Sequence, residues 1–366
     1  MRVALCYNKK PKINSPLRKT TEYLESLSSI SYERYAEYDN EHTIKTIAKA
    51  IGKLHEVCLV EADEHAYNKF HDDRPDIVFN IAEGLTGPYR ESYIPSILEF
   101  LQIPYTGSDP LTLSVCLDKC VAKKILIYHK IQTPEFQLVT SIKEITNIIK
   151  SWKYYPCIVK PVHEGSSIGV KNDSIIDNPH KLSDLLKWII FMYKQPAIIE
   201  RLLIGREFTV GVLGNGNHAD ILPPIEISFN NLPEFAKPIY SYEAKWIWDV
   251  PNSPLDIFKC PAEIDDELFK KMRKIVLSAY KFLGCRDWAR IDLRLDENDE
   301  PEILEVNPLP GILPDPEDNS CMPKAARMAG LEYEDLILTV LAIACKRYGI
   351  KKKKIECSSS RGNLCK

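Results

Sequence analysis

The sequence contains no apolar stretch long enough to cross a bilayer. Its longest apolar helix candidate, Leu336 to Cys345, falls well short of the roughly 20 residues that a span requires. A helical membrane protein is therefore not expected, and the opening Met1-Arg2-Val3-Ala4-Leu5 is too brief for a signal peptide, which makes the cytoplasm the expected location. Surplus charge is also missing. The formal net charge is -3, and basic residues are scattered apart from Lys351 to Lys354, which argues against nucleic acid as the main partner. The 11 cysteines hold no paired Cys-x-x-Cys set with zinc spacing; Cys116 and Cys120, at i and i+4, read as one helix face beside Leu113 and Leu117, with thiols reduced and mostly buried. There is no internal repeat, no low-complexity domain and no Walker-type phosphate loop.

What remains is a globular chain long enough for two or three domains, with 45% hydrophobic residues to fill their cores. Val3 to Tyr7 reads as a strand, Glu41 to Gly52 as a helix, and Glu56 to Val60 and Asp76 to Asn80 as further strands, an α/β rhythm. Between Lys9 and Tyr38 the pattern is polar and aperiodic, which predicts a long loop facing the active site or a small hairpin. Ligands gather at the C-terminal ends of parallel strands, so Glu83, Arg90 and Glu91, just past the third strand, are candidates for substrate contact. An ion pair of Arg90 with Glu83 or Glu91 fits the same residues equally well.

A helix is expected from Leu111 to Tyr128, capped by Ser108 or Asp109, then a strand at Glu135 to Val139, a helix from Ile142 to Lys150 and a strand at Cys157 to Lys160. The next residues, Val162 to Gly169, read as a glycine-bearing polar loop followed by another strand. Backbone donors between Gly165 and Gly169, with Lys160 at the preceding strand end, can cradle phosphate, although a plain hairpin turn looks the same. Glu200 on the strand Ala197 to Glu200, and Glu207 at the start of the next, suit the donor groups of adenine and ribose, as surface glutamates also would. Asn230 to Asp256 reads as a long folded loop carrying Glu243-Ala244-Lys245-Trp246. A helix capped by Asp265 or Asp266 runs to Leu283, a helix pair covers Lys324 to Tyr348, and a tail follows Gly349.

The densest chemistry lies between these last helices. Arg290-Ile291-Asp292 and Glu305-Val306-Asn307 fall on two alternating runs joined by a turn at Asp296 to Glu300, which puts two carboxylates, an amide and a guanidinium on neighbouring strands. Carboxylate and amide oxygens are the donors that Mg²⁺ takes beside phosphate, and Arg290 offers fixed donors to an anion. A polar hairpin facing water, with an incidental ion pair, has the same pattern.

In order along the chain, Tyr105-Thr106-Gly107-Ser108, Asp118-Lys119, Ile158-Val159-Lys160-Pro161, Glu164-Gly165-Ser166-Ser167-Ile168-Gly169, Glu207-Phe208-Thr209-Val210, Glu243-Ala244-Lys245, Arg290-Ile291-Asp292 and Glu305-Val306-Asn307 resemble the D-alanine–D-alanine ligase branch of the ATP-grasp superfamily, from about Ile103 to Leu341. The resemblance implies an α/β ATP-grasp fold behind an N-terminal Rossmann-like domain: residues 1–106, a central subdomain 107–201, a C-terminal subdomain 202–349 with the metal site, and a tail 350–366. It implies a ligase that phosphorylates a carboxylate with ATP and lets an amine displace the phosphate to form an amide. By the same resemblance Lys119 and Lys160 would meet ATP phosphates, Glu200 and Leu203 adenine, and Glu207 ribose. Lys245 would close over the phosphates, and Asp292, Glu305 and Asn307 would hold two magnesium ions, with manganese as a substitute. Arg290 would face the acyl phosphate, and Ser166 would orient the first substrate or its own loop. A homodimer is a further expectation taken from the family.

Some positions depart from the family. Asn8-Lys9-Lys10-Pro11 and the segment after it replace the N-terminal pattern that receives the first amino group. Trp246 stands where a tyrosine is expected, and lacks the phenol that would bridge to Ser166. Pro316 stands where a serine is expected to bind the second carboxylate, leaving Ser320, a backbone N–H or a lysine for that task, while Gly311, in the retained proline-glycine turn, is a further possible substrate contact. A ligase for two D-alanines is therefore one expectation. Another is a related ligase joining a different amino acid, peptide or metabolite carboxylate to an amine, and a third is a non-catalytic nucleotide-binding regulator.

Overall fold

The structure is a computed structural model that describes residues 1–11, 33, 35–249 and 255–350. Three sheets follow one another along the chain. The first is parallel, with strands β1 (Arg2–Tyr7), β2 (Glu56–Glu61) and β3 (Ile77–Asn80) in the order β2-β1-β3. Its β3 residues are buried throughout, as expected of a parallel strand covered on both faces. One face packs with helix Glu41–Gly52, which Asn40 caps by accepting from the Thr43 amide, and joins a core that reaches Trp288, Met322 and Ile337 near the other end of the chain.

The second sheet, order β4-β7-β5-β6, is antiparallel: β4 (Phe136–Val139), β5 (Cys157–Pro161), β6 (Ile175–Ile176) and β7 (Ala197–Arg201). Its own core is closed by helix Pro179–Tyr193 through Leu182, Leu186 and Ile189. In the third sheet β8 (Glu207–Leu213) pairs β9 (Asp220–Ile221), and the main order β11-β10-β8-β12-β13 includes β10 (Ile225–Ile227), β11 (Phe258–Lys259), β12 (Trp288–Leu295) and β13 (Pro301–Asn307). Helix Asp266–Phe282 packs Met272, Val276 and Ala279 against the apolar face of this sheet. No helix among the described residues is long and apolar enough to cross a membrane.

Two expectations are corrected. The helix expected from Leu111 to Tyr128 is two helices, Pro110–Leu117 and Lys119–Tyr128, because Asp118 is extended (φ -84°, ψ 96°) and its carboxylate accepts from the Val121 amide, starting a new helix at Lys119. Cys116 and Cys120 thus lie in different helices, although all nine described cysteines are free thiols. No strand follows the glycine loop at once, since turns hold Ile168 and Val170, and the partner of β5 begins only at Ile175. The start of the expected loop from Lys9, at Lys9–Pro11, and its end, Tyr35–Tyr38, are described, and Ala36, Glu37 and Tyr38 line the cleft; most of the segment between lies outside the described residues, as does the tail from 351 on.

Candidate active site

A cleft of about 290 Å³ opens between the second and third sheets, with Ala36 to Asp39 and, beyond β3, Glu83 and Glu91 lining it as well. Its floor is the β12–β13 pair. Register sets Arg290 opposite Asn307 and Asp292 opposite Glu305, and the alternation of the strand sends Arg290 and Asp292 to the cleft while Ile291 and Leu293 enter the core. A bulge follows Asp292, so Leu304 has no partner across the ladder and also lines the cleft. Arg290 grips Asp292 with two bonds, Nε to Oδ1 at 3.1 Å and Nη2 to Oδ2 at 3.0 Å. The same carboxylate accepts from Thr209 Oγ1 at 2.5 Å and Asn307 Nδ2 at 3.1 Å. Asn307 spends its amide nitrogen there, which leaves its amide oxygen for a ligand.

The opposite wall carries lysines. Lys160 pairs with Ile198 across β5 and β7 while Ile158 pairs with Glu200, a diagonal that brings Lys160 Nζ to 2.9 Å from Glu200 Oε2. Lys123 reaches the other oxygen, Oε1, at 3.5 Å and donates to Thr133 Oγ1 at 2.7 Å. Lys123 and Glu200 are each only 1% exposed. Burial pulls the Lys123 amine down to about 8 against the pull of Glu200, whereas the two lysines hold Glu200 below its ordinary range despite burial. Lys119, the first residue of its helix, stands 3.7 Å from Glu305 Oε1 and donates to the Glu164 carbonyl. Glu207 meets Arg294 at 3.2 Å across the β8–β12 register, and burial nevertheless pushes its carboxyl up to about 7.

Two loops roof the cleft. Ser166 and Ser167 both have positive φ (50° and 61°), and the Ile168 amide donates to the Gly165 carbonyl at 2.9 Å, which makes a tight turn with two left-handed non-glycine residues. Such conformations cost on the order of 1–3 kcal/mol each and persist only where surroundings hold them. Here Trp246 Nε1 donates to the Ser166 carbonyl at 3.1 Å, Ser167 Oγ to the Tyr240 carbonyl at 2.8 Å, and the Tyr242 amide to the Val170 carbonyl at 2.8 Å. Trp246 and Lys245 lie on a single π-helical turn, Ala244–Trp248. Burial lowers the Lys245 amine, and neighbouring Arg290 lowers it further. At the far end Arg90, 6% exposed, donates to the His163 carbonyl at 2.6 Å and to Glu37 at 2.8 Å, tying the 35–39 segment to the glycine loop.

Two carboxylates and an amide oxygen are hard donors that fit a divalent cation beside phosphate. Among the described residues no group of three His, Cys, Asp or Glu side chains is gathered for a metal, so Asn307 has to complete any such set. The family description "D-ala D-ala ligase C-terminus" matches residues 125–342. The chain belongs to the D-alanine–D-alanine ligase family. Among its similar relatives, a D-alanine–D-alanine ligase of Aquifex aeolicus is 33% identical over 302 residues, covering 82% of this chain and 93% of that protein. A Sinorhizobium fredii protein called uncharacterized protein y4sG is likewise 33% identical over 302 residues, with 80% and 84% covered. The fold matches that of the Bacillus anthracis D-alanine–D-alanine ligase solved with ATP, at a TM-score of 0.63 and 22% identity over 95% of this chain and 99% of that one. The protein is thus an ATP-grasp ligase that forms carbon–nitrogen bonds, and the non-catalytic alternative is set aside.

In this member of the D-alanine–D-alanine ligase family, the cleft gathers Lys119, Lys160, Glu200, Leu203, Glu207, Lys245, Arg290, Asp292, Glu305 and Asn307, with Ser166, Trp246, Glu83, Gly311 and Ser320 on its margins. Arg90 is not among the lining residues; it sits behind Glu37, nearer the ion-pair reading but with a partner from the aperiodic segment. Trp246 does reach Ser166, through the main chain and not the hydroxyl. Pro316 is exposed and outside the cleft, while Ser320 lines it and braces the Gly311 turn, donating to the Gly311 carbonyl at 3.1 Å and accepting from the Leu313 amide at 3.0 Å. Sequence reasoning missed Glu37, Asp39, Lys123, Thr209 and Arg294. Lys123 had a signal, its i+4 spacing from Lys119; Glu37, in an aperiodic stretch, had none.

Proposed function

We propose that the protein joins a small carboxylate to an amine in two steps at this cleft. Lys119, Lys160 and Lys245 hold the phosphates of ATP, Glu200 and Leu203 border its base, and Glu207 accepts from its ribose. A carboxylate oxygen of the first substrate attacks the γ-phosphorus and ADP leaves. The amine nitrogen then adds to the acyl carbon, loses a proton, and inorganic phosphate departs as the C–O bond breaks. Arg290 and Lys245 are fixed cations beside the reacting atoms, where negative oxygen charge builds as the amine adds. Asp292, Glu305 and Asn307 would hold magnesium, which when bound supplies charge neutralisation for the phosphates. Ser166 orients the glycine loop or the first substrate.

The observation that carries this proposal is the convergence of Lys119, Lys160, Lys245 and Arg290 with Asp292, Glu305 and Asn307 in one cleft. The test is a mass-spectrometric product screen with ATP, magnesium and pooled amino acids and amines, alongside ADP release. Amide formed in step with ADP, and lost in Asp292→Asn, is the expected result; nucleotide binding with no coupled amide from any pair refutes it. Dialanine is one product to look for. A different pair is favoured by the end of the cleft below Arg90, where Glu37, Asp39, Glu83 and Glu91 crowd together.

A further inference from the structure

The phosphate end of the cleft is rich in cations, with Arg290 on Asp292, Lys160 and Lys123 on Glu200, Lys119 near Glu305, and Lys245 beside Arg290. The other end is not. Glu37, Asp39, Glu83 and Glu91 all line it, and among the described residues the only cation within ion-pair distance of any of them is Arg90, on Glu37 at 2.8 Å. Glu91 lines the cleft at 8% exposure, and its side chain forms no hydrogen bond or ion pair with any other described residue. Burial pushes Glu91 up to about 8 and Asp39 up to about 7, and it raises Glu83 too, with Glu37 and Glu91 adding repulsion. These acids are costly to ionise until a cation arrives.

The acid end and the phosphate end adjoin. Glu37 is held down by Arg90 and then by the charges of Lys245 and Lys119, the two lysines assigned to phosphate. A substrate whose carboxylate lies toward Lys245 and Arg290 therefore has its other groups among these acids. Counted over the described residues, one α-ammonium would still leave a surplus of carboxylates over cations there; a second ammonium removes most of it. We propose that one substrate of this ligase is a diamino monocarboxylic acid, bound with both ammonium groups among Asp39, Glu83 and Glu91. The proposal rests on the ligase function given above.

The experiment compares ornithine, lysine and 2,3-diaminopropionate with neutral amino acids of matched length, in both enantiomers, with magnesium ATP and an amine pool, by product mass and steady-state kinetics. The diamino acids should show kcat/KM higher by about tenfold or more, the size of one additional charge-assisted hydrogen bond. Glu91→Gln should raise KM for the diamino acid by a similar factor and KM for a neutral acid, which has one ammonium fewer to place, by clearly less. Glu83→Gln, at a less buried position, gives the same test should Glu91→Gln fail to fold. Amide from neutral acids at equal or better kcat/KM, or equal losses for both classes in the variants, overturns this proposal and leaves the ligase function standing. No amide from any pair overturns both.

Discussion

Replacing Glu200 by Gln removes the carboxylate that pairs with both Lys123 and Lys160. With Glu200 and Lys123 both 1% exposed, water cannot take over its role. Removing one partner from a buried pair costs about 3–5 kcal/mol. An independent bound agrees with that range. Once unpaired, Lys123 can shed its proton, and moving an amine from its ordinary value of 10.5 to neutrality at pH 7 costs at most about 5 kcal/mol, taking 1.36 kcal/mol per pH unit.

That escape has a pH signature of definite sign. In the wild type Lys123 is mostly protonated below about 8, so it contributes little slope to stability from pH 6 to 7 and only a modest one on approaching pH 8. In Glu200→Gln the folded state holds the amine neutral while the unfolded state binds a proton, so stability rises with pH at up to about 1.4 kcal/mol per unit. Urea unfolding at pH 6, 7 and 8 should show the variant several kcal/mol weaker at pH 6 and recovering by up to about 2.7 kcal/mol at pH 8 relative to wild type. Parallel curves would refute the reasoning, because they would mean that Lys123 keeps its charge without Glu200.

Arg290→Met should lower kcat/KM by about ten- to a hundred-fold, the loss of a charge-assisted contact made mainly in the transition state, with KM for ATP much less affected in steady-state assays. Gly169→Ala places a Cβ 2.7 Å from Pro161 Cδ at a φ of +75°, and should cost about 1–3 kcal/mol, read as a lower midpoint in thermal unfolding. The Glu91 carboxyl, raised to about 8 by burial, contributes stability that is lost as pH rises through that value, so Glu91→Gln should gain on wild type between pH 5 and 8 by a few kcal/mol at most, measured by denaturant unfolding. Chelation with EDTA should weaken ATP binding by at least about tenfold in calorimetry, because phosphate charge would then face Asp292 and Glu305 unscreened; unchanged affinity would speak against a metal at those residues.

How much of the molecule was legible follows from how each part is built. The floor was readable because strand alternation ties sequence spacing to one face: Arg290 and Asp292 are two apart, as are Glu305 and Asn307, and the register completes the square. The bulge at Leu304 was not readable, since an extra residue leaves the apolar alternation almost unchanged. Asp118 interrupts its helix because a carboxylate that caps the Val121 amide competes with continuation, which periodicity alone does not weigh. Trp246 could be flagged as lacking a phenol, but whether its indole N–H finds a main-chain carbonyl is decided by a π-helical turn that has no spacing signature. Glu37 and Asp39 were invisible for the same reason, since nothing local gives an aperiodic segment a buried face.

The two ends of the cleft therefore differ in how they are specified and in what they ask of a ligand. At the phosphate end Lys119, Lys160 and Arg290 each stand by a carboxylate, so in the proposed reaction nucleotide binding would be an exchange in which these three trade some internal pairing for phosphate. Such an exchange adds little by Coulomb attraction alone, so a divalent cation on Asp292, Glu305 and Asn307, as proposed, would supply the attraction that the lysines do not. At the acid end, among the described residues, only Glu37 has a cation beside it, and an arriving ammonium meets in Glu91 a carboxylate already largely removed from water. On the proposed reading, selectivity between substrates rests with Asp39, Glu83 and Glu91, and turnover of any substrate with the residues of the β12–β13 floor.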